Sequence, residues 1–289
     1  MSKSGQLRLQ DSRAIWRLLG ECRDLGDERV AWRERLASGL AELVGADILV
    51  NGEMGGCRKL APRDLGVTFW WRSEAIAPPF IAEYLQSFRI NPSLSPAMIA
   101  YHRCNLDEDG SALRRSDFIR DGEWYRSFDY EMISRPYGVD ATMWCFRKID
   151  GAQGDESSGI VALREDGRPD FSPRARTIIR ETHRALSPLI GGHLARYADP
   201  SPADLPPRQR QVLACMLEGD GDKQIAARLG IARYTVNDYT KAIYRHFGVN
   251  GRAQLQARWI RRGWGGQPRW IEDDSAQSIA SGRAFSWPA

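Results

Sequence analysis

Leu205–Val249 reads LPPRQRQVLACMLEGDGDKQIAARLGIARYTVNDYTKAIYRHFGV, and its periodicity and punctuation decide what the carboxy-terminal fifth of the chain is. Apolar residues recur at helical spacing in three short runs. The first helix is predicted from Pro207 to about Glu218, with Val212, Leu213, Met216 and Leu217 inward, and Gly219 to Gly221 end it. Asp222 is placed to cap a second helix that buries Ile225, Ala226 and Leu229. Gly230 stands where a helix end needs positive φ, and Ile231 fills the corner. The third helix is predicted from about Tyr234 to Phe247, with Val236, Ile243 and Phe247 inward. That phase leaves Arg233, Tyr234, Asn237, Asp238 and Lys241 outside. Amides and guanidinium groups read base edges, while cations and hydroxyls hold phosphate, so the layout is that of a helix-turn-helix with a groove-facing third helix. A fourth helix, Arg252 to Arg262, is expected to pack Ala253, Leu255 and Ile260 against the bundle or a partner.

Charge agrees with that reading. Residues 205–262 hold eleven Lys and Arg against four acids, a local +7 in a chain whose net charge is +4. The remainder is therefore acidic on balance, and attraction for phosphate is concentrated in this module.

Residues 205–262 resemble the LuxR-type helix-turn-helix domain of bacterial transcription regulators. The resemblance is carried by Leu205, Pro207-Arg208, Val212-Leu213, Lys223-Gln-Ile-Ala226, Leu229-Gly-Ile231, Thr235-Val236, Ile243, Phe247-Gly-Val249, Arg252-Ala253 and Leu255. It implies that the helix with Thr235 and Val236 enters the major groove, that Lys223 holds phosphate, that Asn237 contacts DNA and that the final helix contributes to dimerisation. With Arg245, the expected DNA-binding set is Lys223, Arg233, Tyr234, Thr235, Asn237, Asp238, Lys241 and Arg245. Pro206, Gln209, Ala232, Asn237 and Tyr239 depart from the usual pattern. Ala232 removes a side-chain cap worth roughly 1 kcal/mol. The apolar frame is untouched, so the departures bear on affinity and base preference rather than on fold. The alternative is a degenerate module that serves protein contacts or dimerisation.

The chain is long enough for two domains, each with its own core. The expected division is a sensor or dimerisation domain over 1–190, a linker over 191–204, the helix-turn-helix domain over 205–262, and a tail over 263–289. Residues 10–45 look helical. Ala46–Val50 and Val67–Trp71 read as strands, with a Gly-rich turn near Gly52 and Gly55-Gly56 between them. Pro78-Pro79 breaks the chain before a short helix over Phe80–Phe88. Ala141–Arg147 and Gly159–Arg164 read as strands joined by a polar turn. Ser172 and Pro173 open a helix that repeats Ile178, Ile179, Thr182, Leu186, Leu189 and Ile190. The fold class expected is α+β, an antiparallel sheet flanked by helices, followed by the all-α four-helix domain. The layout resembles GAF- or PAS-type sensors or the acyl-homoserine-lactone-binding domain. Neither a phospho-receiver's acid pair nor a glycine-rich nucleotide loop can be placed.

Aromatic residues crowd the amino-terminal half. Trp70, Trp71, Trp124, Tyr125, Tyr130 and Trp144 are the expected walls of a site for a small apolar ligand, with Arg72, His102 and Arg126 as directed polar groups. Residue by residue, core packing explains Trp70, Trp144 and Phe146 as well. Alternation along a strand puts Trp70 and Trp71 on opposite faces. His102 and Cys104 lack further ligands nearby, so no metal, cofactor or catalytic site is expected and the chain is not read as an enzyme. Five scattered cysteines, at 22, 57, 104, 145 and 215, suit a reducing cytoplasm. No apolar run is long enough to span a membrane, and the amino-terminal residues lack a signal peptide's apolar region. The expected partners are double-stranded DNA and a second copy of the chain.

Overall fold

The computed structural model describes residues 5–56, 63–72, 96–105, 110–150 and 155–264, with side chains omitted at 105, 132 and 133. Cys57, Pro78-Pro79, the helix expected over Phe80–Phe88, and the tail tryptophans Trp270 and Trp287 lie outside the described residues.

The amino-terminal domain is built on a five-stranded sheet, β1 (Ile48–Gly55), β2 (Arg63–Trp71), β3 (Leu113–Arg114), β4 (Val139–Lys148) and β5 (Glu156–Glu165), in the order β2-β1-β5-β4-β3. Every pairing is antiparallel. Helices α1 (Leu9–Asp24), α2 (Ala31–Val44) and α6 (Pro173–Leu186) cover one face. The other face meets α3 (Pro96–Asn105) and the short helices α4 (Arg115–Phe118) and α5 (Asp121–Trp124). Strand alternation assigns the side chains. Leu49, Met143, Cys145, Ile160 and Ala162 join the core under the long helices. Ile48, Val50, Phe69, Phe146, Val161 and Leu163 join the opposite core with Met98 and Tyr101 of α3. This is the α+β architecture expected from the strand and helix patterns.

Two local expectations need correction. The Gly-rich turn near Gly52 is strand: β1 runs on to Gly55, because Gly52 has no side chain and a Cβ there would lie 2.5 Å from the Gly66 carbonyl. The sheet absorbs the irregularity as a bulge between Glu53 and Met54. The segment 191–204, whose prolines and small polar residues suggest a flexible connection, is instead docked: Leu194 and Ala195 are fully buried and Pro202–Asp204 form a 3-10 turn.

The carboxy-terminal domain has four helices, α7 (Pro207–Glu218), α8 (Asp222–Leu229), α9 (Arg233–Phe247) and α10 (Arg252–Arg262). Its core unites Val212, Leu213, Met216, Ile225, Val236, Ile243, Phe247, Leu255 and Trp259. Gly230 turns the chain in the left-handed region at φ 64°, which lets α9 follow α8 after three residues. Asp222 is not the cap of α8. Gly221 is, and the Gln224 side chain accepts its N–H at 2.7 Å. At α10 the three apolar residues expected to face the bundle or a partner divide. Leu255 and Trp259 point inward, Trp259 edge-on to Phe247 at 5.4 Å, while Ala253 and Ile260 face solvent.

Candidate nucleic-acid interface and sensor face

Helix α9 presents an unobstructed outer face. Arg233, Tyr234, Asn237, Asp238, Lys241 and Arg245 are exposed, Tyr234 at 75%. Thr235 is half-buried beside Val236. Their spacing of three and four residues places the polar side chains along a common side of the helix, opposite Val236, Ile243 and Phe247. Lys223 is exposed in the first turn of α8. Lys223, Arg233, Lys241 and Arg245 form no ion pair among the described residues, so their charges are available to phosphate. Arg228 differs: Glu218 and Asp220 both hold it, which fixes α7 to α8 instead of facing a ligand. Ala232 has no side-chain cap, as its identity dictates.

The amino-terminal sheet is organised in cross-strand rows. Trp71, Ile48, Leu163 and Thr142 form one row across β2, β1, β5 and β4. Phe69, Val50, Val161 and Trp144 form the next row on that face. Buried polar atoms collect at this end. Among the described residues, the indole N–H groups of Trp71, Trp124 and Trp144, the Thr142 hydroxyl and Asp140 Oδ1 have no hydrogen-bond partner. A buried donor without an acceptor costs about 1–3 kcal/mol, so such a group needs an explanation. The neighbours are aromatic: Trp124 lies 5.9 Å from Tyr130, and Tyr125 stands edge-on to Tyr130 at 4.9 Å. Tyr125 is the most open of this group and donates to Asp140 Oδ2 at 3.1 Å. A recess of about 30 Å³, the size of one water, lies toward the other end of the same face, beside Gly52, Gly66 and Phe146.

The structure thus brings Trp71, Trp124, Tyr130 and Trp144 to one side of the sheet, with Tyr125 at its rim. Trp70 departs from that set: it packs against the core under the long helices. Arg72 donates to the Ala46 carbonyl and Arg126 to the Gly122 carbonyl, so neither is directed into the aromatic face. His102 is buried against Tyr101 and Phe146, whereas Cys104 is exposed, and the two do not meet.

Two buried constellations escaped the sequence reading. His183 of α6 places Nδ1 3.2 Å from Cys145 Sγ and Nε2 3.1 Å from Ser158 Oγ. The Cys145 thiol donates to the Gly110 carbonyl, which leaves its sulfur to accept from Nδ1–H and Nε2 to accept from the Ser158 hydroxyl. Burial pushes the imidazole down to about 3, so it is neutral. Closed off from solvent, the trio braces α6 to the sheet and is no nucleophile. The second constellation surrounds Arg33. Its helical phase with Ala37, Leu40, Ala41 and Val44 was the available signal, because that phase puts a guanidinium on the buried side of α2.

Residues 203–258 match the family model described as GerE, bacterial regulatory proteins, luxR family. The carboxy-terminal module is therefore a luxR-family helix-turn-helix domain, the class of DNA-binding module found in transcription regulators. Among curated proteins, the chain is similar to the probable HTH-type transcriptional regulator GfsR of Streptomyces halstedii, 27% identical over 152 residues. That match covers 43% of this chain and spans 62% of the length of the relative. Among solved structures, SdiA in complex with octanoyl-rac-glycerol is 17% identical, with 91% of this chain and all of that chain covered at a TM-score of 0.39. The VqsR LBD domain from Pseudomonas aeruginosa is 16% identical, with 60% of this chain and 89% of that chain covered, also at 0.39. Superpositions this loose do not establish a shared arrangement of the whole chain. Among the described residues, no helix is long and apolar enough to cross a membrane.

Proposed function

We propose that the protein is a sequence-specific, double-stranded-DNA-binding transcription regulator, not an enzyme, acting in the cytoplasm, whose amino-terminal domain senses a small molecule. The observation that carries the DNA reading is the exposed, unpaired polar side of α9 on an intact apolar frame. Lys223, Arg233, Tyr234, Thr235, Asn237, Asp238, Lys241 and Arg245 make the interface, with the cations on phosphate and Asn237 on a base edge. A selection from random duplexes at fixed salt tests this. The expected result is a sequence that binds at least about 1,000-fold more tightly than its scramble. Equal competition by the scramble favours the degenerate, protein-contact module.

The sensing half rests on the unpartnered indole, hydroxyl and carboxylate atoms at one end of the sheet face. They suit a largely apolar ligand with oxygen acceptors for the indoles and a hydroxyl or amide for Asp140. Trp71, Trp124, Tyr125, Tyr130 and Trp144 line the site in this reading, while Trp70 is core. Native mass spectrometry of protein purified from its own cells reads a retained small molecule directly. We propose residues 1–190 and 205–262 as the two domains, joined by the docked segment 191–204 and followed by a tail over 263–289. The chain acts as a homodimer in this reading. Leu255 and Trp259 are committed to the module's own core, which leaves Ala253, Ala257 and the 76%-exposed Ile260 as the stripe of α10 open to a second copy. Ile260→Glu is expected to shift the mass on target DNA from dimer to monomer in sedimentation.

A further inference from the structure

The segment 193–204 has two sides. Toward the helix-turn-helix domain, Trp264 donates its indole N–H to the His193 carbonyl at 2.9 Å, His246 bonds the Ser201 carbonyl at 2.9 Å, and Arg262 pairs with Asp199 at 2.6 Å. Ala195 belongs to that domain's apolar core. Toward the sensor domain, Trp32 and Arg33 both donate to the Ala195 carbonyl at 3.0 Å, and Ala195 N–H donates to the Gly26 carbonyl at 2.7 Å. Ser201 and the Ala203 amide donate to Glu28, and Arg29 pairs with Asp204 at 2.7 Å. These contacts tie both domains through one short stretch of chain.

Its seat is Glu53, a carboxylate only 1% exposed at the bulge of β1. Glu53 accepts from Arg33, from Arg196 Nε at 2.9 Å and from the Tyr197 amide at 3.1 Å. Arg33 is sandwiched, its guanidinium carbon 4.0 Å from the ring centres of both Trp32 and Tyr197. Arg196 reaches on to Glu156 of β5 at 2.6 Å. The Tyr197 hydroxyl meets Thr68 at 2.5 Å, and its ring lies flat on Gly66, where a Cβ would stand 2.1 Å from Cγ. These contacts are mutually dependent. Lifting Arg196 and Tyr197 removes two of the three donors to a buried carboxylate and one wall of a buried guanidinium. An intermediate with half of them broken leaves uncompensated charge in the interior, so the seat is docked or undocked as a unit. Glu53 and Gly66 face each other across β1 and β2, and both also border the recess on the sensor side of the sheet. A shift of that strand pair therefore reaches the seat with no intervening element.

We propose that residues 193–204 form a latch that holds the helix-turn-helix domain in one orientation on the sensor domain, and that strand movement on the sensor face undocks it. The proposal rests on the reading of the chain as a DNA-binding regulator with a sensor domain. Latched, the recognition helix of each copy has a fixed position. Undocked, the domain swings on the chain between Ile190 and Leu205, a flexible reach of roughly 20 Å. The latch thus sets which half-site spacings a dimer accepts.

The test uses the full chain and three variants: Glu53→Gln and Tyr197→Ala at the seat, and Asp199→Asn on the helix-turn-helix side. Hydrogen exchange of peptides across 193–204 is read with solution scattering. In the unsubstituted chain, the Ala195, Arg196 and Tyr197 amides are expected to be protected. In the variants, exchange there is expected to speed at least 10-fold and the radius of gyration to grow, while the circular dichroism of both domains stays unchanged. If a seat variant fails to fold, Asp199→Asn carries the test, because Asp199 lies outside both apolar cores. Unprotected amides in the unsubstituted chain, or unchanged exchange and size in the folded variants, overturn the latch. Duplex selection is run in parallel. Failure to select any sequence with a normal exchange result sinks the DNA reading and leaves the latch standing. Selection with no change in exchange does the reverse.

Discussion

The two proposed partner surfaces of this molecule are built on opposite rules. On α9, polar groups are exposed and unpaired, and water satisfies them until DNA arrives. On the amino-terminal sheet, polar groups are buried and have no hydrogen-bond partner among the described residues. The first arrangement suits a charged, solvated partner that is met at the surface, where affinity comes from releasing counterions. The second suits a partner that is itself desolvated, because an indole N–H in an apolar wall gains its full hydrogen bond only from an acceptor that displaces no competing water. The two rules predict opposite responses to substitution. On α9, loss of a polar side chain weakens binding and leaves the fold alone. On the sheet, loss of a polar atom improves the empty fold and weakens binding.

The largest effect separates frame from face on α9. Val236 is fully buried between exposed Asn237 and half-buried Thr235. Val236→Asp puts a charge in a small core and is expected to cost about 4 kcal/mol or more, enough to unfold the carboxy-terminal domain. A thermal melt followed by circular dichroism should lose the helical contribution of that domain and keep the sheet. Equal melting of Val236→Asp and Asn237→Ala would show that the phase of α9 is wrong.

Next in size are Asn237→Ala and Lys241→Ala. Both side chains are exposed, so the melt should stay within about 0.5 kcal/mol of the parent. Asn237→Ala is expected to weaken the selected duplex about 10-fold and to relax preference at one base position, the value of a base-edge contact of about 1–3 kcal/mol. Lys241→Ala should weaken all duplexes alike and reduce the slope of log K against log salt by about one. A change of base preference in Lys241→Ala, read by competition among single-base variants of the duplex, would remove the division between phosphate and base contacts.

This contrast also explains what could be read from the sequence. The helix-turn-helix was legible because its chemistry is local. Val236, Asn237 and Lys241 are related by the 3.6-residue period of one helix, and Gly230 marks the turn in plain sequence. The opposite facing of Trp70 and Trp71 was legible for the same reason, by the period of a strand. Thr142 and Trp71 were not legible as partners. They share a row only through Ile48 and Leu163, and that register is fixed by β1 and β5, far away in the chain. The docked segment was missed because its prolines and small residues give a linker's composition, while its hold comes from Arg33 and Glu53, more than 140 positions earlier. Which residues of α10 face the bundle and which remain for a partner was left open in the sequence for a local reason. Ile260 and Trp259 are adjacent, and only contact with Phe247 shows which one turns inward.

Thr142→Val tests the sheet's rule with the least change of shape. Thr142 is 3% exposed and its hydroxyl has no partner among the described residues. Replacing it with a methyl group is expected to stabilise the empty protein by up to about 1 kcal/mol, since an unsatisfied buried group is removed. Trp144→Phe keeps an aromatic wall and removes one donor. Both variants should retain less small molecule in native mass spectra than the parent does. Loss of stability in Thr142→Val would mean that its hydroxyl has a partner in solution, and the site would then lose one of its directed groups.

The smallest effect lies where the two surfaces are joined. Glu28 accepts from the Ser201 hydroxyl and the Ala203 amide, and burial and the neighbouring Asp27 push its carboxyl up to about 7. Asp204, itself paired with Arg29, adds to the repulsion, and the two hydrogen bonds from the docked segment oppose it. The sign follows from the comparison with an unfolded glutamate, which titrates near 4.5. Below that pH the carboxyl is protonated in both states and carries no penalty. Between about 4.5 and 7 the unfolded chain ionises first, so stability falls as pH rises, and above 7 the full penalty is present. Glu28→Gln has no such titration. Its melting temperature should run parallel to the parent's above pH 7.5, and the gap between them should change between pH 7 and pH 5 in favour of the parent. The protection factor of the Ala203 amide, with the intrinsic pH dependence of exchange divided out, should rise in the parent over that interval and stay level in Glu28→Gln. A gap that does not move with pH would show that Glu28 ionises normally and that the docked segment is held by its other contacts, Glu53 and Asp199 among them, without regard to the charge of Glu28.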